Sequence, residues 1–264
     1  MELKSRIIVG LSGQKGVGKD LVANIIDYIV RNKIRNANYK DWFMQSVSDK
    51  NKELITVTHF ADPLKSIIAS LFNIDVKYFY NREYKDNKYI KLYDYTRKNC
   101  TIAKAFINEN EAINKNYLIV DNEKLLIHSL SYYIIQPNMC IKLRTLLQYI
   151  GTEVGRKMID NELWINLSIN NISRKATANR LCIIPDVRFN NEAEIIRKLG
   201  GKIIKIERNI ESNKKDKHDS ENMNDVIEDY LIDNNGTKFN LFYKVFSIID
   251  TIYKEQRNKI ENKN

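Results

Sequence analysis

The stretch Ile7-Ile8-Val9-Gly10-Leu11-Ser12-Gly13-Gln14-Lys15-Gly16-Val17-Gly18-Lys19-Asp20 decides how this chain folds. Residues 7–11 form an unbroken apolar run, short enough for a strand buried on both faces. Gly13-x-x-x-x-Gly18-Lys19 then fills the first seven places of the phosphate-binding loop, GxxxxGK, and an amphipathic helix pattern follows from about 18 to 33. Glycines let backbone N–H groups curl around a phosphate, and the helix N-terminus adds positive potential. Gly13, Lys15, Gly16, Val17, Gly18, Lys19 and Asp20 are therefore the expected nucleotide-phosphate site, with Lys19 reaching the β- and γ-phosphates. Asp20 stands where the motif usually has the Ser or Thr that touches Mg²⁺. A carboxylate can hold Mg²⁺ directly or through water, and Lys15 and Lys19 offset its charge.

Working outward, a second strand is expected at 55–60. Ala61-Asp62-Pro63 then opens a helix with Leu64, Ile67, Ile68 and Leu71 on one face. Leu143, Leu146, Leu147, Ile150, Val154 and Met158 recur at helical spacing within 139–160, and another helix is expected at 161–175. Leu181-Cys182-Ile183-Ile184 reads as a buried strand. A helix capped by Asn190, with Glu192 in its first turn, runs to about 199, and Gly200-Gly201 stops it. Residues 202–206 make the next strand, so 181–206 is a βαβ unit, which implies a parallel sheet. A weak strand at 230–232, a helix at about 238–258 and a polar tail at 259–264 complete the chain. The expected fold is a three-layer α/β/α domain over 1–264 with a central parallel sheet. An insertion at about 77–137, a lid or substrate-side subdomain, interrupts it and holds six of the fifteen tyrosines, at 78, 80, 84, 89, 93 and 95.

Composition sets the outer limits. Lys and Arg number 43 against 33 Asp and Glu, a net charge of +10 that favours anionic partners. Cys100, Cys140 and Cys182 form no C-x-x-C pair, which argues against a zinc ribbon and suits free thiols in a reducing cytoplasm. His59, His128 and His218 are too scattered for a histidine metal site. The first residues do not read as a signal peptide, and no apolar run reaches the ~18 residues of a membrane span. No helix-turn-helix or RNA-binding motif is visible, so nucleic acid is not the expected partner; homodimerisation is left open.

Several segments together resemble one family. They are the Gly13–Asp20 loop, Phe60-Ala61-Asp62-Pro63-Leu64-Lys65, and Asn81-Arg82-Glu83 with Lys85. Leu143-Arg144-x-x-Leu147-Gln148-x-x-Gly151-Thr152-Glu153-x-x-Arg156 follows, with Asp160 and Trp164 beyond it. Asp186-Val187-Arg188-Phe189-x-Asn191-Glu192-Ala193 runs into Leu199-Gly200-Gly201, and His218-x-Ser220-Glu221 and Asn234-x-Gly236-Thr237 close the series. The chain is similar to the viral and phage deoxynucleoside monophosphate kinases, P-loop NTPases related to adenylate kinase. That resemblance implies phosphoryl transfer from ATP to a deoxynucleoside monophosphate, with Mg²⁺. A P-loop kinase of another small metabolite, such as dephospho-coenzyme A, and a nucleic-acid-binding P-loop protein are the alternatives.

On that reading Lys19, Arg144 and Arg156 are the catalytic cations. Arg144, Gln148 and Thr152, spaced i, i+4, i+8, share one helix face that Arg156 continues, and suit a monophosphate and its base. Asp62, Lys65, Arg82, Glu153, Trp164 and Arg188 complete the expected substrate site, with Lys85 beside Arg82. Gly151 and Gly155 permit either close substrate approach or close helix packing. Asp186, just past the strand 181–184, is expected on the rim where ligands gather and, with Asp20, to hold Mg²⁺ through water. Glu192 reads as a helix cap. Asn234-Asn235-Gly236-Thr237 is either a strand-to-helix turn or the approach to the adenine.

Overall fold

The computed structural model describes residues 6–48, 56–97, 100–121, 137–209 and 226–261. Its strands are β1 (Ile7–Ser12), β2 (Tyr89–Ile90), β3 (Phe106–Ile107), β4 (Leu118–Val120), β5 (Met139–Lys142), β6 (Leu181–Ile184), β7 (Lys202–Glu207) and β8 (Tyr230–Asp233). The principal helices are α1 (Lys19–Arg31), α2 (Tyr39–Ser48), α3 (Asp62–Phe72), α4 (Leu143–Gln148), α5 (Leu163–Asn179), α6 (Asn190–Lys198) and α7 (Lys238–Glu261). Two compact units emerge: Met1–Phe60 with Ser168–Asn264, and Ala61–Leu167. Among the described residues no helix is long and apolar enough to cross a membrane.

The first unit is built on a parallel sheet in the order β6-β1-β7-β8. All six residues of β1 are buried, because both of its faces are covered. Ile7, Val9 and Leu11 pack with Val22, Ile25, Ile26 and Ile29 of α1 and with Phe242, Val245 and Ile249 of α7. The opposite face meets α6. A methyl group on Gly10 would stand 2.6 Å from Ile203 Cδ1 and 2.8 Å from Ile196 Cδ1. Helices on both faces of a parallel sheet give the expected three-layer α/β/α architecture.

Among the described residues, the strand expected at 55–60 is reduced to a single parallel bridge, Val57 opposite Ile183. Thr58 N donates to Ile183 O and Ile183 N to Thr56 O, both at 2.9 Å. Beyond that step, side chains take over from the ladder. Lys175 Nζ donates to Val57 O, and Ser168 Oγ donates to Phe60 O at 3.4 Å. Thr56 Oγ1 donates to Asp27 Oδ1 at 2.8 Å, while Arg31 Nε holds the same carboxylate at 2.8 and 2.9 Å. Asp27 is buried, and this pairing offsets the desolvation of its charge while tying the segment to α1. Glu192, also buried, caps α6: its Oε2 accepts from Arg188 N at 2.8 Å and Phe189 N at 3.3 Å. The cap is therefore this carboxylate rather than Asn190, which is the first helical residue.

The second unit contains the stretch expected as an insertion, 77–137, and among its described residues it has its own sheet, β3-β2-β5-β4. β2 pairs antiparallel with β3 and β5, and β4 pairs parallel with β5. Leu64 and Ile68 of α3, Phe79, Ile90, Leu92, Val120, Ile141, Leu143, Leu146 and Trp164 form its core. Tyr89 is buried, and Tyr78 and Tyr84 pack against Phe106 with ring centroids 5.4 and 4.8 Å away. Residues 139–142, expected to be helical, are the strand β5. Ile67, Leu71 and Met158, which helical spacing sets in apolar stripes with Leu64 and Leu143, are exposed.

Candidate active site

Between β1 and α1 the loop holds Gly13, Gly16 and Gly18 at φ +136°, +90° and +103°. At Gly13 a Cβ would stand 2.3 Å from Ile206 O, so only glycine fits the turn. Lys19, the first residue of α1, lays its ammonium over the loop, donating to Gly13 O at 2.5 Å and Gln14 O at 2.8 Å. Ser12, immediately before the loop, is completely buried, and its Oγ has no hydrogen-bond partner among the described residues. Lys15 and Asp20 are exposed, Val17 is buried, and Asp20 lies in the first turn of α1.

Asp186 follows β6, the parallel neighbour of β1, and Val187 N donates to Leu11 O at 3.1 Å. Asp186 and the loop thus leave the carboxyl ends of adjacent parallel strands, where open α/β sheets bind ligands. His59 Nδ1 lies 3.2 Å from Asp186 Oδ2 and helps fix that carboxylate. Sequence reading set His59 aside; the pairing of residues 56–58 with Ile183 brings it here. Arg188 is half-buried, its backbone held by Glu192. Among the described residues no three His, Cys, Asp or Glu side chains gather as a metal cage. Asp186, beside the loop, offers a carboxylate of the kind Mg²⁺ takes together with waters and substrate phosphates.

The second unit assembles a cationic cluster. Lys65, buried, sits 3.9 Å above the Tyr80 ring and 3.3 Å from Asp62 Oδ1. Tyr80 OH donates to the same oxygen at 2.7 Å. Arg144 Nε and Nη2 both meet Asp86 Oδ1 at 2.9 Å. Burial pulls the Lys85 ammonium below its usual range; Asp86 opposes the shift, and the cations Arg144, Lys65 and Arg82 reinforce it. Four cations and two carboxylates share this region, an excess of positive charge suited to an anion. Tyr80 and Asp86 were not foreseen; both flank the Asn81–Lys85 motif, which was the available signal.

The row Arg144, Gln148, Thr152, Arg156 departs from the expected regular stripe. α4 ends at Gln148, and Tyr149–Ile159 continues as a wider π-helix, closed by Asp160 N donating to Gly155 O at 2.9 Å. Spacing at 3.6 residues per turn does not carry across that change. Trp164 is buried behind this segment and donates Nε1–H to Gly151 O at 2.8 Å. A Cβ on Gly155 would stand 2.4 Å from Trp164 Cζ2, and one on Gly151 would stand 2.8 Å from Leu64 Cδ2. Both glycines therefore serve close packing. Glu153 pairs with Lys157 at 2.7 Å rather than with an arginine. Gly155→Ala is expected to destabilise the protein by about 1–3 kcal/mol through overpacking against the indole; thermal unfolding checks this, and an unchanged midpoint refutes it. His218, Ser220 and Glu221 lie outside the described residues.

A family model described as deoxynucleotide monophosphate kinase matches residues 7–245, which takes in both units. The chain belongs to that family. It is 25% identical over 209 residues to the deoxynucleoside-5'-monophosphate kinase of Escherichia phage T5, covering 72% of each chain. It is 34% identical over 125 residues to a protein of Acanthamoeba polyphaga mimivirus provisionally named deoxynucleotide monophosphate kinase. That match covers 40% of this chain and 61% of the relative. Burial pushes the Cys140 thiol up to about 11 and the Cys182 thiol up to about 12, as for inert structural cysteines.

Proposed function

We propose that this deoxynucleoside monophosphate kinase uses ATP as donor at the Gly13–Asp20 loop and takes the acceptor monophosphate on the cationic cluster of the second unit. The observation that carries the donor half is the glycine cradle closed by Lys19. ATP supplies the γ-phosphoryl group, which passes to an oxygen of the monophosphate and leaves ADP and a diphosphate. That oxygen is already mostly anionic near neutral pH, with a second phosphate pKa of about 6, so no strong general base is needed. The protein's task is to position two phosphate groups and neutralise their charge. Lys19 and the loop N–H groups hold the donor phosphates, and Lys15 adds charge at the loop. Asp20 and Asp186 would hold Mg²⁺ through water, and Arg188 contributes positive charge beside Asp186.

For the acceptor, Arg144 and Arg156 offer planar forks matched to phosphate oxygens, with Lys65, Arg82 and Lys85 adding charge. Asp62 sets Lys65 and Tyr80, and Gln148, Thr152 and Glu153 contact the nucleoside. Trp164 supports that helix from the core. The test is a coupled assay in which the chain, MgATP and each common deoxynucleoside monophosphate are mixed and ADP is followed. ADP release that depends on the monophosphate is the expected result; no release with any of them overturns the reading.

A further inference from the structure

Asn234 follows β8, and its backbone N–H donates to Glu207 O at 2.8 Å, extending the β7–β8 pairing by one step. Its side chain turns inward and is 8% exposed. Nδ2 donates at 2.8 Å to the carbonyl of Val17, 217 residues earlier and inside the phosphate-binding loop. The approach is close: a Cβ on Gly18 would stand 2.6 Å from that same Nδ2. Gly18 is thus required twice, by its φ of +103° and by the room the amide takes. A trans peptide is planar, so the Val17 carbonyl and the Gly18 N–H point in opposite directions. Fixing the carbonyl on Asn234 fixes the direction of the Gly18 N–H.

We propose that Asn234 is a positioning residue for the nucleotide phosphates: by holding the Val17–Gly18 peptide plane, it presents the Gly18 N–H to the phosphate. This rests on the ATP reading of the loop. The turn around Asn234 has other anchors, so its side chain is not needed to form it. Asn235 N meets Asp233 Oδ1 at 3.2 Å, Asn209 N meets Asn235 Oδ1 at 2.8 Å, and Lys244 Nζ meets Asp233 O at 2.6 Å.

Asn234→Asp keeps the size and loses the donor, and Asn234→Leu keeps the bulk without charge. MgATP binding by calorimetry, steady-state KM for each substrate and thermal unfolding are measured on both. Removing a buried donor is expected to raise Kd and KM for ATP about tenfold in both variants. KM for the monophosphate should stay within about twofold, since the loss is confined to the loop; the unfolding midpoint falls in both variants, because the Val17 carbonyl is left buried without its donor. If one variant does not fold, the other decides. ATP affinity retained in Asn234→Leu overturns the proposal, as does an equal rise in both KM values. Wild-type protein that does not bind MgATP instead sinks the ATP reading itself.

Discussion

Lys19→Ala is expected to lower kcat/KM by about a thousandfold, the upper range for removing one preorganised group that meets developing charge. The ammonium already lies over the loop, within hydrogen-bond reach of Gly13 O and Gln14 O. In phosphoryl transfer the loop lysine sits on the donor phosphates and offsets charge on the transferring group. Alanine removes that charge and leaves the glycine cradle. The fold should survive, because Lys19 is only half-buried and contributes nothing to the apolar core between β1, α1 and α7. Hydrogen bonds from a charged donor contribute about 1.5–3 kcal/mol each, and the partial exposure of the ammonium keeps these two at the low end, so the melting midpoint should fall modestly. Steady-state kinetics with saturating monophosphate, together with a thermal melt, check both halves. Full activity in the variant would show that the loop is not the phosphate site.

Arg144→Ala should lower kcat/KM for the monophosphate by about a hundredfold while KM for ATP changes little, the pattern of losing one charge-matched fork. Arg144→Lys should recover only part of this, because a point charge does not replace a bidentate fork. A purely structural role for Arg144 makes a different prediction. Its pairing with Asp86 involves side chains 38% and 27% exposed, and exposed pairs contribute about 1 kcal/mol or less. If that pairing were its whole function, Arg144→Ala would shift the unfolding midpoint slightly and leave turnover intact. The double variant with Asp86→Ala would then behave like the single one. A kinetic loss much larger than the stability loss separates the two roles.

The loop was readable because its determinants are local. Gly13, Gly16, Gly18 and Lys19 lie within seven positions, and each answers to its own backbone angle or to the neighbouring strand and helix. The same holds for β6, α6 and β7, where apolar run, capping carboxylate and Gly200-Gly201 follow one another along the chain. The second unit was not readable in this way. Its strands β2 and β3 are two residues each, too short for any periodicity, and they exist only because they pair with β5 and each other. The run 139–160 looked helical throughout, yet its first four residues are claimed by that sheet. Residues 149–159 widen where Gly155 lies against the Trp164 indole.

The sequence by itself determined the parallel-sheet core, the glycine loop and the kinase family. Glycine spacing and buried strand runs act over a few residues, and the family motifs span most of the chain. Tertiary structure alone decided which side chains hold the site residues: Asn234 on Val17, His59 on Asp186, Asp86 on Arg144, Trp164 behind Gly151 and Gly155. Each of these is a polar or packing contact closed by the fold between separate segments. No local preference of either partner announces it, because the two halves meet only once the chain has folded.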